Sequence, residues 1–231
     1  MKIGLLSDIH GNADALAAVL DTARRQDVQR ILCSGDLVGY YYEPDKCLEL
    51  LAEWEVDCVR GNHEDMLFDL LNTPSLGPQI KTKYGSGLAM AATILTTAQL
   101  DYLRKLPTHK TVTIQDKSFL LCHGSPWNTN QYIYPDADDE MFRRCSVDGN
   151  DYVVLGHTHY QLAVRHGNTL IVNPGAVGQP RGSDRGVAHW AVLDTRNGVF
   201  QHKTTHYDLS PVIAQAQKYD PDVDYLQSIL S

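Results

Sequence analysis

The chain has 231 residues, a hydrophobic share of 43%, a charged share of 21% and a formal net charge of −8. This length fits one sizeable domain, the longest apolar stretches are too short to cross a membrane, and the negative charge disfavours long contacts with a nucleic-acid backbone. We therefore expect one domain over residues 1–231, with no membrane partner and no stable nucleic-acid partner. A small phosphorylated substrate is compatible with the charge, because bound divalent cations would reverse its local sign.

The N-terminus and the cysteines bear on where the protein works. The first six residues run directly into a polar motif and are too short for the hydrophobic region of a signal peptide. The five cysteines are odd in number, widely spaced and without a Cys-x-x-Cys pair. This pattern argues against a disulfide framework and a structural zinc site, and we expect a cytoplasmic location.

The first half of the chain predicts alternating strands and helices. Strands are expected at 1–7, 30–33 and 56–59, and helices at 13–25, 44–53 and 65–72. Asn12 is a plausible N-cap for the first helix, and Pro44 fits the first turn of the second. We expect a loop over 73–79, followed by two helical pieces over 81–106 with a capping-box restart at Thr96.

The second half predicts mainly hairpins. Paired strands are expected at 111–114 with 118–122, at 162–166 with 169–172, and at 187–194 with 199–205. A weak helix over 136–145 precedes a strand over 152–155, and one or two short helices follow Pro211. Strand–helix alternation followed by hairpins predicts a mixed α/β fold, a two-sheet sandwich with helices outside.

Polar side chains follow the ends of five predicted strands, mostly beside a glycine. Because α/β proteins place their chemistry at the carboxyl edge of a sheet, these side chains are expected to converge on a di-metal site. Asp36 would lie at its centre and touch one ion or bridge two. The candidates are Asp8, His10, Asp36, Asn62, His63, His123, His157 and His159.

Ligands of these types, without cysteine, suit Mn²⁺, Fe, Zn²⁺ or Co²⁺. Two such ions roughly 3.5–4 Å apart can activate a nucleophile and hold both phosphate oxygens during an in-line attack. Asn62 would add an oxygen without adding negative charge, which leaves the ions more Lewis acidic. His63 lies one residue beyond it, and an imidazole there suits protonation of a leaving oxygen or stabilisation of the developing charge.

The candidates belong to five ordered motifs, namely Asp8-Ile9-His10-Gly11-Asn12, Gly35-Asp36, Gly61-Asn62-His63-Glu64, His123-Gly124 and Gly156-His157-Thr158-His159. Together these motifs resemble the calcineurin-like metallophosphoesterase family from Lys2 to about Gln179. The stretch Asn173–Arg181 is similar to the small bacterial and archaeal branch that contains phosphodiesterases and diadenosine-tetraphosphate hydrolases. The resemblance implies a four-layer double β-sandwich flanked by helices, and attack on phosphorus by a metal-activated hydroxide.

The resemblance also implies roles for single residues. The catalytic histidine would be His63. Glu64 is a departure, because Asp is more usual there, although Glu64 could orient His63 through a hydrogen bond. Two divalent ions are implied, with Mn²⁺ the leading candidate and Fe, Zn²⁺, Co²⁺ or Ni²⁺ as alternatives. Their ligands would be Asp8, His10, Asp36 and His159 for the first ion, and Asp36, Asn62, His123 and His157 for the second.

The candidate substrate contacts lie mostly outside the five motifs, so the sequence indicates them less clearly than the metal ligands. Arg181 and Arg185 are candidates to clamp a phosphate, with solvated loop charges as the alternative. Tyr40 to Tyr42 could stack a nucleobase or simply pack the loop, and Asn12 is a helix cap first and a phosphate contact second. The remaining histidines are framed by no motif and are not expected to be ligands: His109, His166, His189, His202 and His206.

The leading hypothesis is a metal-dependent phosphoesterase that acts on small phosphodiesters or nucleotides, with diadenosine tetraphosphate as the specific candidate. A phosphoprotein phosphatase shares the same kind of metal site and ranks second. A catalytically idle protein-binding scaffold is disfavoured because every ligand is present, and a DNA nuclease is disfavoured by the charge of −8. The substrate, the native metal and the oligomeric state are left open by the sequence.

Overall fold

The structure, a computed structural model, describes residues 1–181, 185–223 and 226. Within these residues ten strands form two five-stranded sheets. The first sheet contains β1 (Lys2–Leu6), β2 (Val28–Cys33), β3 (Val56–Cys58), β9 (Val187–Asp194) and β10 (Val199–His206), in the order β10-β9-β1-β2-β3. The second contains β4 (His109–Ile114), β5 (Lys117–Cys122), β6 (Tyr152–Val154), β7 (Gln161–His166) and β8 (Thr169–Pro174), in the order β4-β5-β6-β8-β7.

Eight α-helices occur in the described ranges, and none of them is long and apolar enough to be a candidate membrane span. A short 3₁₀ helix, Pro74–Leu76, precedes the fourth. The helices are α1 (Ala13–Arg25), α2 (Pro44–Ala52), α3 (Asn62–Asn72), α4 (Gly77–Tyr84), α5 (Gly87–Ile94), α6 (Thr97–Lys105), α7 (Asp139–Cys145) and α8 (Ser210–Tyr219).

Strand direction explains why the predicted site residues can meet. In the first sheet β1, β2 and β3 are parallel, and in the second sheet β5, β6 and β8 are parallel. The carboxyl ends of each parallel set therefore lie together. The antiparallel neighbours β9 and β10 complete the first sheet, and the hairpin partners β4 and β7 complete the second.

The two sheets pack face to face through alternating side chains. In β1, Ile3 and Leu5 join Phe119 and Leu121 of the second sheet in one buried cluster. The next residue, Leu6, belongs instead to the cluster beneath the helices. Burial of each such side chain stabilises the fold by about 1.5–3 kcal/mol. This shared layer fixes how the two sets of strand ends face each other.

Helices cover both outer faces of the sandwich. Helices α1, α2, α3, α5 and α6 contribute buried side chains to the cluster on the first sheet. On the second sheet, Phe142 and Cys145 of α7 pack with strand residues and with Ile133 from the preceding loop. The order is therefore helices, sheet, sheet, helix and loop. This confirms the predicted α/β double β-sandwich with helices outside.

Several predicted boundaries were wrong, and local contacts explain the differences. Residues 73–79 are not a loop, because the 3₁₀ helix and the first turn of α4 lie there. The two expected helical pieces are three helices, since Gly85, at φ 78°, ends α4. Helix α3 starts three residues earlier than predicted, because the side chain of Glu64 accepts a hydrogen bond from the N–H of Gly61 at 2.8 Å. Helix α7 starts at Asp139, where Asp138 accepts from the N–H of Met141 at 2.8 Å.

Other predicted features are confirmed. Helix α1 has its predicted bounds, and Asn12 caps it by accepting a hydrogen bond from the N–H of Ala15 at 3.1 Å. Thr96 and Gln99 form the predicted capping box of α6. The C-terminal helix α8 begins at Ser210, and a second short helix would lie largely outside the described residues.

Candidate metal centre

The strand ends that carry the candidate ligands share an unusual backbone conformation. Five of the seven predicted ligands adopt the left-handed region, which side chains other than glycine rarely occupy. Such strain persists where the surrounding structure holds it in place, and it concentrates at functional sites. The five are Asp8 (φ 54°), His10 (φ 54°), Asp36 (φ 55°), His157 (φ 67°) and His159 (φ 63°).

The structure brings all seven predicted ligands together between the two sheets. Asp8, His10 and His159 have ligand atoms within 4.8 Å of one another, and Asp36, His123 and His157 form a second such group. Asn62 joins the second group, with its Oδ1 atom 3.0 Å from Nε2 of His123. Each group takes residues from both sheets, so neither would exist without the face-to-face packing.

Asp36 lies between the two groups. Its Oδ2 atom is 3.2 Å from Nε2 of His123 and 3.8 Å from Nε2 of His10. Its Oδ1 atom accepts a hydrogen bond from the N–H of His63 at 2.8 Å. One oxygen is therefore fixed by the first turn of α3, while the other faces both groups.

The first group fits a cation because two imidazole lone pairs face each other. Nδ1 of His10 lies 3.1 Å from the carbonyl oxygen of Val38, and Nδ1 of His159 lies 2.6 Å from that of Gln179. A carbonyl oxygen only accepts, so each Nδ1 carries the hydrogen and each Nε2 presents a lone pair. These Nε2 atoms are 3.1 Å apart. Two lone pairs at this distance repel each other, and a cation beside both relieves the repulsion.

The second group has the same arrangement. Nδ1 of His123 donates to the carbonyl oxygen of Ser34 at 2.7 Å, so its Nε2 faces Asp36 and Asn62 and presents a lone pair there once the ring has lost its second proton, as binding of a cation requires. Nε2 of His157 is buried and has no hydrogen-bond partner. Acceptor atoms that converge without a donor are what a divalent cation requires. The residues of both groups therefore fit a divalent metal ion.

The four imidazoles in this centre have different pKa values. Burial lowers the pKa of His157 to about 4. Burial together with the charge of Arg181 lowers the pKa of His159 to about 3, and burial also lowers that of His10. Burial would lower the pKa of His123 as well, but Asp36 outweighs it and raises that pKa to about 10. Three of the four imidazoles are thus neutral near pH 7, the form that binds metal.

Two glycines allow the strand ends to approach so closely. A Cβ atom on Gly61 would lie 2.1 Å from Oδ1 of Asp36, and one on Gly156 would lie 2.0 Å from Oγ of Ser7. That hydroxyl donates a hydrogen bond to Asp8. The N–H of His157 also donates to Asp8, at 3.1 Å. Larger residues at these positions would push the carboxylates out of place.

Glu64 has a role that the sequence did not reveal. Its carboxylate accepts backbone N–H bonds from Gly61 at 2.8 Å, Asp36 at 3.0 Å, Leu37 at 2.7 Å and Val38 at 3.2 Å. Burial raises the pKa of Glu64 to about 7, while the backbone donors oppose that shift. The side chain joins the loop of Asp36 to the start of α3. We find no hydrogen bond from Glu64 to His63 among these contacts.

His63 lies close to the first ligand group, but it belongs to neither of the two groups. It shares a third set of neighbouring ligand atoms with His10 and Asp36, again within 4.8 Å. Its ring packs against Tyr84 with a centroid separation of 5.1 Å, and its Nδ1 atom is buried without a hydrogen-bond partner. Burial lowers its pKa, and the charge of Lys83 acts in the same direction. A neutral imidazole therefore lines the cavity beside the ligands.

The ligands open into a cavity of about 260 Å³. Of the predicted substrate contacts, Tyr40 and Arg181 line it. Asn12 is fully engaged elsewhere, because its Nδ2 atom donates to the carbonyl of Gly178 at 3.0 Å and to the hydroxyl of Tyr207 at 3.1 Å. Arg185 is exposed beyond residues 182–184, which lie outside the described ranges. Four further aromatic side chains line the cavity, namely Tyr84, Tyr132, Tyr134 and Tyr160.

Sequence reasoning missed these four tyrosines and Lys83, because none of them lies within the five motifs. The five histidines without a motif are absent from the three ligand groups found in the described part of the chain.

A double β-sandwich with two imidazole–carboxylate groups at one edge defines a metal-dependent hydrolase. The model of the calcineurin-like phosphoesterase superfamily domain matches residues 1–198. The chain belongs to this superfamily, and it is a metal-dependent phosphoesterase that uses divalent metal ions.

Individual proteins are similar to this chain over most of its length. An uncharacterized protein of Methanocaldococcus jannaschii is 29% identical over 226 residues, which covers 90% of this chain and 88% of that protein. Phosphodiesterase YfcE of Escherichia coli K12 is 24% identical over 205 residues, covering 84% of this chain and 88% of YfcE. Among solved structures, a metallophosphoesterase from Sphaerobacter thermophilus has a TM-score of 0.79 and 28% identity, and the match covers 100% of this chain and 98% of that one.

Proposed function

We propose that the protein hydrolyses small phosphodiesters, with nucleotides as the natural substrate class and diadenosine tetraphosphate as the specific candidate. The observation that carries the proposal is that two groups of converging acceptor atoms share one cavity with a cationic side chain, Arg181. A relative that bears the name phosphodiesterase, 24% identical to this chain, supports the same reaction class.

In this proposal Mn²⁺ is the leading metal. Two ions held at these positions would supply the nucleophile at neutral pH and neutralise charge on the phosphate. Asp36 would touch both ions, since its Oδ2 atom faces both groups. The proposed ligands are Asp8, His10, Asp36 and His159 for one ion, and Asp36, Asn62, His123 and His157 for the other.

His63 is the proposed catalytic residue. Its neutral ring lines the cavity and lies beside the ligands without being needed in either proposed set. A neutral histidine in this position can donate a ring N–H hydrogen bond to the charge that develops on the phosphate or on the leaving oxygen, and loss of one such donor lowers the rate by about 10²–10³-fold. The backbone N–H of His63 donates a hydrogen bond to Asp36, and this bond fixes the position of His63 relative to the ligands.

Cationic side chains near the ligands favour a substrate with more than one phosphate. Arg181 lines the cavity, and its guanidinium can donate two parallel hydrogen bonds to a phosphate. Lys83 lies over the ring of Tyr84, 4.9 Å from its centroid, and its charge reaches His63. A polyphosphate chain could extend from the ligands towards these two charges, which is why diadenosine tetraphosphate is the candidate.

The test is a turnover screen with added Mn²⁺. Diadenosine tetraphosphate, a chromogenic phosphodiester, a phosphomonoester and a phosphopeptide are compared at equal concentration. Release of ATP and AMP, or of two molecules of ADP, would support the specific candidate and identify the bond that is cut. Turnover of the chromogenic diester alone would support the reaction class and reject the nucleotide.

Substitutions in the site show whether the measured hydrolysis comes from this protein or from a contaminating enzyme. Asp36→Asn should lower kcat by about 10²–10⁴-fold, because the ions contribute several kcal/mol of transition-state stabilisation. His63→Gln should lower kcat by a similar factor while metal binding persists. His206→Ala, at an exposed position on β10, is the matched control. Undiminished hydrolysis by Asp36→Asn would overturn the assignment. Preference for the phosphopeptide would favour a protein phosphatase, and no turnover with metal bound would favour a scaffold.

A further inference from the structure

Exposed aromatic side chains cluster at the mouth of the active-site cavity. Tyr132 is 49% exposed, and Tyr134 and Tyr160 are each 42% exposed. In the described ranges, these are three of only five large hydrophobic side chains that are exposed, and all three line the same cavity. Exposed apolar surface that is gathered in one place, rather than scattered, marks a binding surface.

The three rings form a continuous run that starts at a metal ligand. The ring of Tyr132 lies over that of His157, with centroids 4.0 Å apart and a 32° interplanar angle. Tyr134 follows at 5.6 Å, nearly parallel to Tyr132 at 8°. Tyr160 approaches Tyr134 at 6.2 Å and 63°. The run therefore leads from the reaction centre to the cavity mouth.

Buried and hydrogen-bonded neighbours in the chain hold the three tyrosines in place. Ile133 lies between Tyr132 and Tyr134 in the chain and is 1% exposed, and it packs with the core on the outer face of the second sheet. The alternation turns one side chain inwards and its two neighbours outwards. Tyr160 is joined directly to His159, and its N–H donates to Oγ1 of Thr158 at 3.3 Å. Because the rings are anchored, ligand binding would not need to order them.

The tyrosines that the sequence had suggested for stacking do not offer a free face. Tyr41 is 1% exposed and Tyr42 is 4% exposed, and both belong to the cluster that packs against α8. Tyr40 is 7% exposed and lies edge-on to His10, with ring centroids 4.7 Å apart. A planar ligand that enters from solvent would meet the outer three instead.

We propose that Tyr132, Tyr134 and Tyr160 form a stacking platform for the planar base of a nucleotide whose phosphate lies at the metal ligands. This inference rests on the proposed function and narrows it to base-bearing phosphoesters. The ribose separates base from phosphate, so the base reaches the rings at the mouth while the phosphate lies beside His157. Stacking of a base on aromatic side chains changes affinity by about 5- to 150-fold.

The first measurement is equilibrium binding with Mn²⁺ present, with AMP and ribose 5-phosphate as ligands. The two ligands share the ribose and the phosphate, and ribose 5-phosphate carries a hydroxyl group where AMP carries the base, so the ratio of their Kd values reports the contribution of the base. Wild-type protein should bind AMP about tenfold more tightly. Tyr134→Leu and Tyr160→Leu should each reduce this ratio several-fold, whereas Tyr134→Phe should keep it because the ring remains.

Tyr102→Leu is the matched control. Tyr102 is also 42% exposed but lies on α6, beside a separate apolar pocket with Trp54. The AMP preference should survive this substitution. Equal binding of AMP and ribose 5-phosphate by wild-type protein would overturn the platform. An AMP preference that persists in both leucine variants would do the same.

The second measurement compares two esters with one leaving group, the p-nitrophenyl ester of thymidine 5′-phosphate and ethyl p-nitrophenyl phosphate, with Mn²⁺ present. Tyr134→Leu should lower the ratio of their kcat/KM values about tenfold. If the ratio is the same in wild-type protein and Tyr134→Leu, the platform does not select substrates and the inference fails. If wild-type protein cleaves neither ester, the proposed function fails, and the AMP binding ratio alone decides the platform.

Discussion

The imidazoles of His10 and His159 face each other through their Nε2 atoms at 3.1 Å, and both Nδ1 atoms are occupied by backbone carbonyls. The two residues lie 149 positions apart in the chain. Their lone pairs repel each other, and burial lowers the pKa of both rings, which disfavours relief by protonation. A divalent cation relieves the same repulsion, so metal binding and folding are coupled at this contact.

We therefore expect Mn²⁺ to stabilise the fold. At a metal concentration of 100 times Kd, the gain is about 2.7 kcal/mol, which for a chain of this size corresponds to about 5–10 °C in Tm. Thermal unfolding in EDTA and in Mn²⁺ measures the difference. His159→Ala should remove most of the metal-induced shift, whereas His206→Ala should retain it. A shift of the same size in His159→Ala would show that the metal binds elsewhere.

Glu64 should matter for stability and for metal affinity together. Glu64→Gln leaves one oxygen for four backbone donors and turns an amide N–H₂ group towards them. We expect a loss of about 2–4 kcal/mol in the free energy of unfolding and a metal affinity lowered about 10–100-fold. Urea unfolding in EDTA and a Mn²⁺ titration measure the two effects.

Glu49→Gln, at an exposed position on α2, is the matched control and should change stability by less than about 0.5 kcal/mol. If Glu64 acted only by orienting His63, Glu64→Gln would lower kcat while stability and metal affinity stayed at wild-type values.

Asp57 should contribute stability that depends on pH. Burial would raise its pKa, but hydrogen bonds from Lys110 and Arg30 outweigh burial and lower the pKa below the ordinary value of 3.8. Its contribution is therefore present above pH 3.8 and is lost as pH falls through the lower, folded-state pKa. Asp57→Asn should cost about 1–3 kcal/mol at pH 7.

The measurement for Asp57 is urea unfolding of wild-type and variant protein from pH 7 down to pH 2. The difference between them should shrink below the ordinary pKa of 3.8. Asp101→Asn, at an exposed position on α6, is the control and should stay within about 0.5 kcal/mol of wild type. A difference that is constant with pH would contradict the ionic role.

Asp220 should hold the C-terminal helix against the loop that carries Tyr42. Its buried carboxylate accepts from the hydroxyl of Tyr42 at 2.8 Å, and from the N–H and hydroxyl of Ser86 at 2.7 and 2.6 Å. Asp220→Ala leaves these donors without an acceptor and should lower the free energy of unfolding by about 2–4 kcal/mol. Hydrogen exchange should increase in α8. The neighbouring exposed Asp222, changed to Ala, should alter neither quantity, and equal effects of the two substitutions would refute the role of Asp220.

The sequence alone determined the features that depend on neighbours within a few residues. The cap at Asn12, the capping box at Thr96 and the strand periodicity each involve residues close in the chain, and α1 has its predicted bounds. The order of the five polar motifs also anticipated which side chains would meet, because parallel strands bring their carboxyl ends to one edge.

Tertiary structure decided what depends on distant contacts. Whether a tyrosine is free to bind a ligand depends on what packs over it: α8 covers Tyr42, whereas the burial of Ile133 leaves Tyr134 exposed. The role of Glu64 depends on backbone donors 26 to 28 residues away. Local propensity carries no information about such partners, because burial and hydrogen bonding are settled only when the two sheets and their helices pack together.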